Sequence, residues 1–474
     1  MIPSGGGTIA LRELEPSVVA LHPGEAEFLT LRHARHLTVR PAHGGDGPRI
    51  ITPGHVCGII PLPSGRSLHI EPKARIASVW RMLAYAWDLP QVDHAAAGSA
   101  DVGELLDGVI ALYVRELARL IGYGLARGYA ERRASLPMVR GRLDVWAQVR
   151  QDPAGRHRFA CVYDELGVDT RENRVLLAAL GAARAVSRAA CRPDARASCG
   201  SRLGLGPLIR RCAGALSEVR PVAMGRAEIG LVRAPPGAEH YRTALALARL
   251  LLEGHGAGHR PGSSAAPALV VEMPALFERF VCGVLERGLT PGLGDTHGLR
   301  VRRAGHAIAL DEDRRALLSP DAIIECRGVP VCVVDAKYKV GSAQQTPRRS
   351  PQGFCVADRP AAGAAPHRPD PDDLYQMLAY CVGYRTPHAA LVYPEPCSAA
   401  PLRIERGSVR AQVHPLGLDL GGAPEAVRAQ CERLCTHVAA LATAGPGQAD
   451  ARRPPLPGLR RASCRGFPEE GESC

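Results

Sequence analysis

The chain has 474 residues, 46% hydrophobic and 22% charged, which describes folded globular material of two or three domains and excludes a disordered chain. Lys and Arg outnumber Asp and Glu by 59 to 47, a formal net charge of +12, and such a basic balance favours polyanionic partners unless the excess is spread over a solvated surface. The 15 cysteines include no C-x-x-C pair, which argues against a zinc site or a disulfide framework. The start MIPSGGGTIALREL carries no signal pattern, and no run of about 18 apolar residues exists to span a membrane, so a reducing cytoplasm is the expected setting.

Residues 8 to 76 read as β-rich. Thr8 to Leu14, Leu37 to Arg40, His55 to Pro61 and Ser67 to Glu71 are short runs parted by Gly/Pro turns, and Pro63 to Arg66 joins the last two as a hairpin. The period then becomes helical over Ile76 to Trp87 and Val102 to Ala126, with a loop at Val92 to Ala100. Residues 127 to 175 carry a basic string of Arg132, Arg133, Arg140, Arg142, Arg150, Arg156 and Arg158. Such a string is either a phosphate or protein contact or, more simply, a solvated surface with local salt bridges. Asp169 or Thr170 is the expected N-cap of a long helix from Asn173 to Ala190, and helices follow at Leu208 to Val219 and Tyr241 to Leu252. Gly254 to Pro267 (GHGAGHRPGSSAAP) is the interior linker. Its glycines keep His255 and His259 from forming a rigid metal pair.

Beyond the linker, an amphipathic helix from Pro274 to Leu285 carries Glu278. Strand-like segments at Leu299 to Arg302 and Ala307 to Leu310 lead to SPDAIIECRGVPVCVVDAKYK, Ser319 to Lys339. This stretch reads as a hairpin: Ala322 to Glu325, a turn at Arg327-Gly328, then Val331 to Val334. Alternate residues of a strand share a face, so Asp335 and Lys337 project together, and the pairing brings Asp321 to the same end. Gly341 to Pro371 is an aperiodic insertion. The helix DDLYQMLAYCVGY follows, with Gln376 and Tyr380 four apart on one face, then a strand from Ala389 to Tyr393. Residues 445–474 form an expected disordered tail. The expected layout is therefore an amino-terminal β-rich and helical region over 1–253, a linker over 254–267 and an α/β domain over 268–444.

Asp-x-Lys alone often marks an exposed ion pair. Here it follows a buried-looking apolar run and has a Pro-Asp upstream. Two carboxylates and one ammonium at a sheet edge suit a metal-dependent phosphodiesterase. Asp321 and Asp335 would bind Mg²⁺, a hard cation that prefers oxygen ligands. Lys337 would position the attacking water or stabilise the charge of the transition state. Glu278 would add a carboxylate or support the metal's surroundings, unless it is simply solvated. Gln376 and Tyr380 would steady the backbone near the scissile phosphate, unless they only pack the helix. Lys339 is either a phosphate contact or exposed. The sequence holds no G-x-x-x-x-G-K-[ST] loop, G-x-S-x-G elbow or H-E-x-x-H, so any nucleotide hydrolysis belongs to a partner.

The order PD…DAKYK…DLYQMLAY…ALVYP resembles the PD-(D/E)xK nuclease superfamily and, more narrowly, the McrC family. HVCGIIPLPSGRSLHIEPK, RMLAYAWDLP, LPMVRGRLDVWAQVR and RFACVYDELGVDTRENRVLLAAL are similar to that family's amino-terminal half. The resemblance implies a restriction-endonuclease-like α/β domain at the carboxy-terminal end, with Asp321, Asp335 and Lys337 catalytic. It further implies a partner, the McrB GTP-hydrolysing AAA+ ring that recognises methylated cytosine in double-stranded DNA. The amino-terminal region would insert into that ring and stimulate its hydrolysis, while the carboxy-terminal domain cuts. Two other readings stay open: a non-catalytic activator of a ring NTPase, and a repair exonuclease of the same superfamily, in which Gln-x-x-x-Tyr also occurs.

Overall fold

The computed structural model describes residues 7–42, 47–86, 102–151, 158–190, 205–222, 226–253, 269–289, 298–303, 308–339, 369–397, 400–406 and 409–443. The expected loop at 92–100, the linker with His255 and His259, the tail and nearly all of the 341–371 insertion lie outside these residues.

The amino-terminal part is built from β1 (Thr8–Arg12), β2 (Ser17–Val19), α1 (Glu25–His33), β3 (Leu37–Pro41), β4 (Arg49–Pro53), β5 (Val56–Pro61) and β6 (Ser67–Glu71). β4 lies between β2 and β3 in one small sheet, while β1 runs parallel to β6 and β6 antiparallel to β5 in another. Leu68 and Ile70 turn inward from β6 and Glu71 outward, the period of a half-buried strand. They meet Leu11, Leu29, Ile51 and Ile60 in a core of their own. The stretch read as β-rich also contains a helix that the reading did not name. It is short and weakly amphipathic, and its buried Glu25 is tied by Arg66 and Ser64 of the β5–β6 turn, a tertiary anchor invisible to periodicity.

Next come α2 (Ile76–Ala86), α3 (Val102–Tyr123), β7 (Gly128–Leu136), β8 (Arg142–Leu143), α4 (Val145–Gln151), β9 (Phe159–Gly167), α5 (Arg171–Ala190), α6 (Gly206–Ala215), α7 (Arg226–Leu231) and α8 (Tyr241–Glu253). α3, α5, α6 and α8 pack around Tyr113, Leu176, Leu180, Cys212 and Leu245. Gly108 of α3 admits the Trp80 ring, since a Cβ there would lie 2.4 Å from Trp80 Cζ2. Thr170 caps α5, accepting from Asn173 N–H at 3.3 Å, while Asp169 holds Arg174 and Arg220. β7 and β9 pair from Gly128–Gly167 to Leu136–Phe159 as a long ribbon that periodicity missed. Its run GYAERRASL offers few apolar residues because most of its side chains are at least partly exposed.

β10 (Leu269–Glu272) joins the amino-terminal sheet beside β5 and passes directly into α9 (Met273–Gly288). The remaining elements are β11 (Leu299–Arg303), β12 (Ile308–Ala309), β13 (Leu317–Leu318), β14 (Ala322–Cys326), β15 (Val329–Ala336), α10 (Pro371–Tyr384), β16 (His388–Tyr393), β17 (Leu402–Arg406), β18 (Val409–Gly417) and α11 (Pro424–Thr443). Six of them form a mixed sheet in the order β11-β14-β15-β16-β18-β17. Ile323, Val333, Leu391 and Val413 on one face pack against Met377, Tyr380 and Tyr384 of α10. Ile324, Cys332, Val334 and Val392 on the other join the core that includes α9 and α11. The α/β class expected for this half is the class observed. The same core continues into Trp80 and Met82 of α2, so one apolar interior runs from the helical bundle to the sheet.

Candidate active site

The β14–β15 hairpin turns at Arg327 and Gly328, with φ of 50° and 83°. Positive φ at both central positions matches the right-handed twist of the flanking strands. A register shift at Ile324/Glu325 absorbs Pro330, which cannot donate to the ladder. Ala322 pairs with Val334, so Asp321 comes level with Asp335 at the open end of the hairpin. The backbone seals this arrangement: Ala336 N–H donates to Asp321 Oδ2 at 2.7 Å. Beyond β15 the chain stays against β16, with Lys337 N–H donating to Val392 O at 2.8 Å. Lys337 Nζ reaches Asp335 Oδ2 at 2.7 Å, and the Asp335 side chain is only 4% exposed. The spacing argument for Asp335 and Lys337 therefore holds in three dimensions.

That ammonium meets a buried oxygen: among the described residues no donor other than Lys337 reaches Asp335 Oδ2. Burial raises the pKa of Asp321, and the charges of Asp335 and Glu278 raise it further. Asp335 is raised too, by burial, against the pull of Lys337. Glu278, on α9, is raised first by burial and then by Asp335. Burial is the first cause for all three carboxyls, and the charges of Lys337, and of Arg279 and Arg303 at Glu278, do not offset it.

α10 closes the other side. Asp370 caps it, accepting from Asp372 N–H at 3.3 Å, with Pro371 as its first residue. The cap sets the helix so that Gln376 Nε2 donates to Tyr380 Oη at 2.8 Å, and Tyr380 Oη donates to Ser319 O at 3.1 Å. Tyr380 thus braces the backbone two residues before Asp321. Burial, then the charge of Asp335, raises its hydroxyl pKa. Gln376 and Tyr380 act on each other as the i, i+4 spacing implies.

Asp373 escaped the sequence reading. It is buried at 6% exposure, takes Lys339 Nζ at 2.7 Å and accepts from Tyr393 Oη at 3.2 Å. Its spacing of three from Gln376 was the available signal. Lys339, expected as a phosphate contact or an exposed side chain, is half-buried in this ion pair instead. The strand ends at Ala336, and Lys339 N–H turns back on Lys337 O at 2.9 Å, which redirects the side chain toward α10.

Among the described residues, no group of three or more His, Cys, Asp or Glu side chains is arranged to hold a metal ion. A closed protein cage of the zinc type is therefore not what these residues build. Two adjacent aspartates, one with a buried oxygen met only by the Lys337 ammonium, fit a cation that takes one or two carboxylates and completes its shell with water and substrate phosphate. Mg²⁺ behaves in that way.

A family model described as "McrBC 5-methylcytosine restriction system component" matches residues 51–394. The chain belongs to this McrBC family. The match runs from β4 to the end of β16 and takes in Glu278, Asp321, Asp335, Lys337, Gln376 and Tyr380. No protein of curated function matches the chain. Two solved structures from Thermococcus gammatolerans resemble it. One is a refined half-complex from a tetradecameric assembly of McrB AAA+ hexamers with bound McrC; the resemblance has a TM-score of 0.48 and 18% identity, and covers 91% of this chain and 100% of that one. The other is a cryo-EM structure of the McrBC complex, with a TM-score of 0.37, 21% identity, and 60% and 88% of the two chains covered.

The matched span of this McrBC family member also contains the β7–β9 ribbon. Its arginines are engaged locally: Arg132 with Glu165, Arg133 with Glu131, Arg140 with Glu165 and over the Tyr163 ring, and Arg142 with Glu131. The plainer reading of the basic string describes these contacts. What periodicity did not show is the apolar surface beside them. Met138, Val145, Trp146 and Val149 are each more than 65% exposed, Trp146 at 79%. No helix among the described residues is long and apolar enough to cross a membrane.

Proposed function

We propose that this chain is the Mg²⁺-dependent DNA endonuclease subunit of a McrBC-type restriction system, working in the cytoplasm. It would cut double-stranded DNA carrying methylated cytosine when driven by a partner AAA+ GTPase that it also stimulates. The observation that carries the nuclease reading is the pair of level aspartates with the Lys337 ammonium 2.7 Å from the buried Asp335 Oδ2. When bound, Mg²⁺ supplies Lewis acidity toward the scissile phosphate and lowers the pKa of a water. Asp321 and Asp335 would hold the cation, and their burial keeps that interaction out of bulk dielectric. Asp321 is pinned by the Ala336 amide, so it needs little reorganisation. Lys337, whose Nζ lies beside Asp335, would stabilise the charge that accumulates on the phosphate. Glu278 adds negative charge that a second cation would offset. Tyr380 holds the Ser319 carbonyl and, through it, the approach to Asp321.

The exposed Met138, Val145, Trp146 and Val149 supply the apolar face for the partner ring, since several large exposed apolar side chains close together in sequence suit an interaction surface. Trp146→Ala is expected to weaken partner binding by about 2 kcal/mol or more, some thirtyfold in Kd, while leaving thermal stability unchanged. Binding of labelled partner measured by anisotropy checks this, and unchanged affinity removes the patch from the interface.

The test of the function is reconstitution with a McrB-type AAA+ partner. Methylated DNA should be cut with GTP and Mg²⁺ present, unmethylated DNA should not, and EDTA should stop cutting. Digestion from DNA ends by the chain alone would instead mark a repair exonuclease.

A further inference from the structure

Tyr338 stands between Lys337 and Lys339 but belongs to the other face of the strand end. Its ring is 5% exposed and lies against Phe277 of α9, at 6.2 Å between ring centroids, and against His55 at 6.2 Å, edge-on. Its hydroxyl donates to Glu13 Oε2 at 3.3 Å, across 325 residues of chain. Glu13 follows β1 and is completely buried. The same carboxylate accepts from Lys73 N–H at 2.9 Å and lies 3.2 Å from His55 Nδ1. Each contact on Glu13 therefore comes from a different place: the end of β6, the start of β5 and the end of the catalytic strand. A buried carboxylate persists only where such donors meet its lone pairs.

The opposite side of the site is tied to the same segment. His55 O accepts from Met273 N–H at 3.0 Å, and Met273 is the first residue of α9, the helix that carries Glu278. His55 thus touches both arms of the site, one through its carbonyl and the other through its ring and Glu13. The backbone bond fixes the root of the Glu278 helix, and the Glu13–Tyr338 bond fixes the segment bearing Lys337. Both anchors sit on the amino-terminal sheet, to which the β10 strand before α9 also belongs.

We propose that Glu13 is a positioning residue of the nuclease, acting through Tyr338 and His55 to set Lys337 against the carboxylates from the amino-terminal sheet. The proposal rests on reading Asp321, Asp335 and Lys337 as the hydrolytic site. Glu13 touches no reacting atom. Its carboxylate is the shared acceptor by which the amino-terminal half holds the lysine in register. A misplacement of about 1 Å at a reacting group costs on the order of a hundredfold in rate, and Tyr338 is the immediate chain neighbour of Lys337.

The experiment compares wild type, Tyr338→Phe, which removes only the hydroxyl, and Glu13→Gln, which keeps shape and an acceptor oxygen. Each full chain is assayed with its partner NTPase. Tyr338→Phe is expected to lower kcat for cleavage about tenfold or more, with KM for DNA held within about twofold. Stimulated GTP hydrolysis should be unchanged, and Glu13→Gln should fall between Tyr338→Phe and wild type. Hydrogen exchange on the same proteins gives the arm that does not depend on cleavage. The Lys337 and Lys339 amides should exchange faster in Tyr338→Phe, while β14 and β16 keep their protection. Unchanged kcat, or a loss shared equally by cleavage and GTP hydrolysis, overturns the proposal. So does unchanged exchange at Lys337 and Lys339, which remains decisive even if the wild type proves not to be a nuclease.

Discussion

Asp335→Asn should reduce single-turnover cleavage on the order of a thousandfold or more, about 4 kcal/mol of barrier, with the fold intact. Asn keeps the shape of Asp but gives up the charge that would hold a cation and meet Lys337 at 2.7 Å. The same substitution should make the cation-free protein more stable near pH 8, on the order of 1 kcal/mol. Asp335 is buried with its pKa raised, which means that its surroundings disfavour its charge even with Lys337 beside it. Loss of activity together with unchanged or higher stability is the signature of a functional group held at a cost. Loss of both would mark Asp335 as a structural residue. Circular-dichroism melts beside quenched-flow cleavage read the two quantities on one preparation.

The second large effect is a dependence of stability on pH that a divalent cation removes. Asp321 is pushed up to about 8 by burial and by Asp335 and Glu278, against about 3.9 in an unfolded chain. Between those values the folded state binds more protons than the unfolded one. Stability from this group is therefore fully present below the unfolded pKa and is lost as pH rises through the folded pKa. Asp335 and Glu278 shift in the same direction. Cation-free protein should lose on the order of 1–3 kcal/mol of stability between about pH 5 and about pH 8 through this cluster. Millimolar Mg²⁺ should restore most of it at the alkaline end, because an ion that binds only the folded state stabilises it by mass action. Urea titrations across the range, with and without Mg²⁺, check the sign. An Asp321→Asn chain should give a flatter profile that responds less to the ion. A profile that rises with pH in the wild type, or that ignores Mg²⁺, would mean that the carboxylates are not competing for one site.

Much of the site was legible in the sequence because its parts are local. Asp335 and Lys337 are two apart on a strand, Gln376 and Tyr380 four apart on a helix, and the hairpin turn fixes Asp321 by register. Each follows from the period of one element, and distances of 2.7 and 2.8 Å for the two spaced pairs agree with that. What stayed hidden depends on contacts between distant segments. Glu13 and Tyr338 are separated by 325 residues, and no spacing rule joins them. Asp373 shared a helix with Gln376, but its role depends on Lys339 turning out of line after the strand ends. The β7–β9 ribbon was missed for a different reason. Its first strand, GYAERRASL, is filled with charged residues, Arg132 reaching Glu165 of β9 and Arg133 pairing with Glu131 on its own strand, so that strand carries no strong apolar period. α1 went unread because a buried ion pair, Glu25 with Arg66, holds it where amphipathicity would normally do so.

The central claim is that this chain itself cuts DNA while a partner hydrolyses the nucleotide. Cleavage of methylated DNA and GTP hydrolysis can be followed in one reaction containing the partner AAA+ protein, Mg²⁺ and either wild type or Lys337→Met. Lys337 faces Asp335 at the carboxyl end of β15, on the sheet that bears the carboxylates. The account predicts equal stimulation of GTP hydrolysis by both chains, with DNA product from the wild type alone. Equal cleavage by both chains would contradict it. Stimulated hydrolysis with no product from either would leave the chain an activator of its ring, with the carboxylate cluster serving no cutting function.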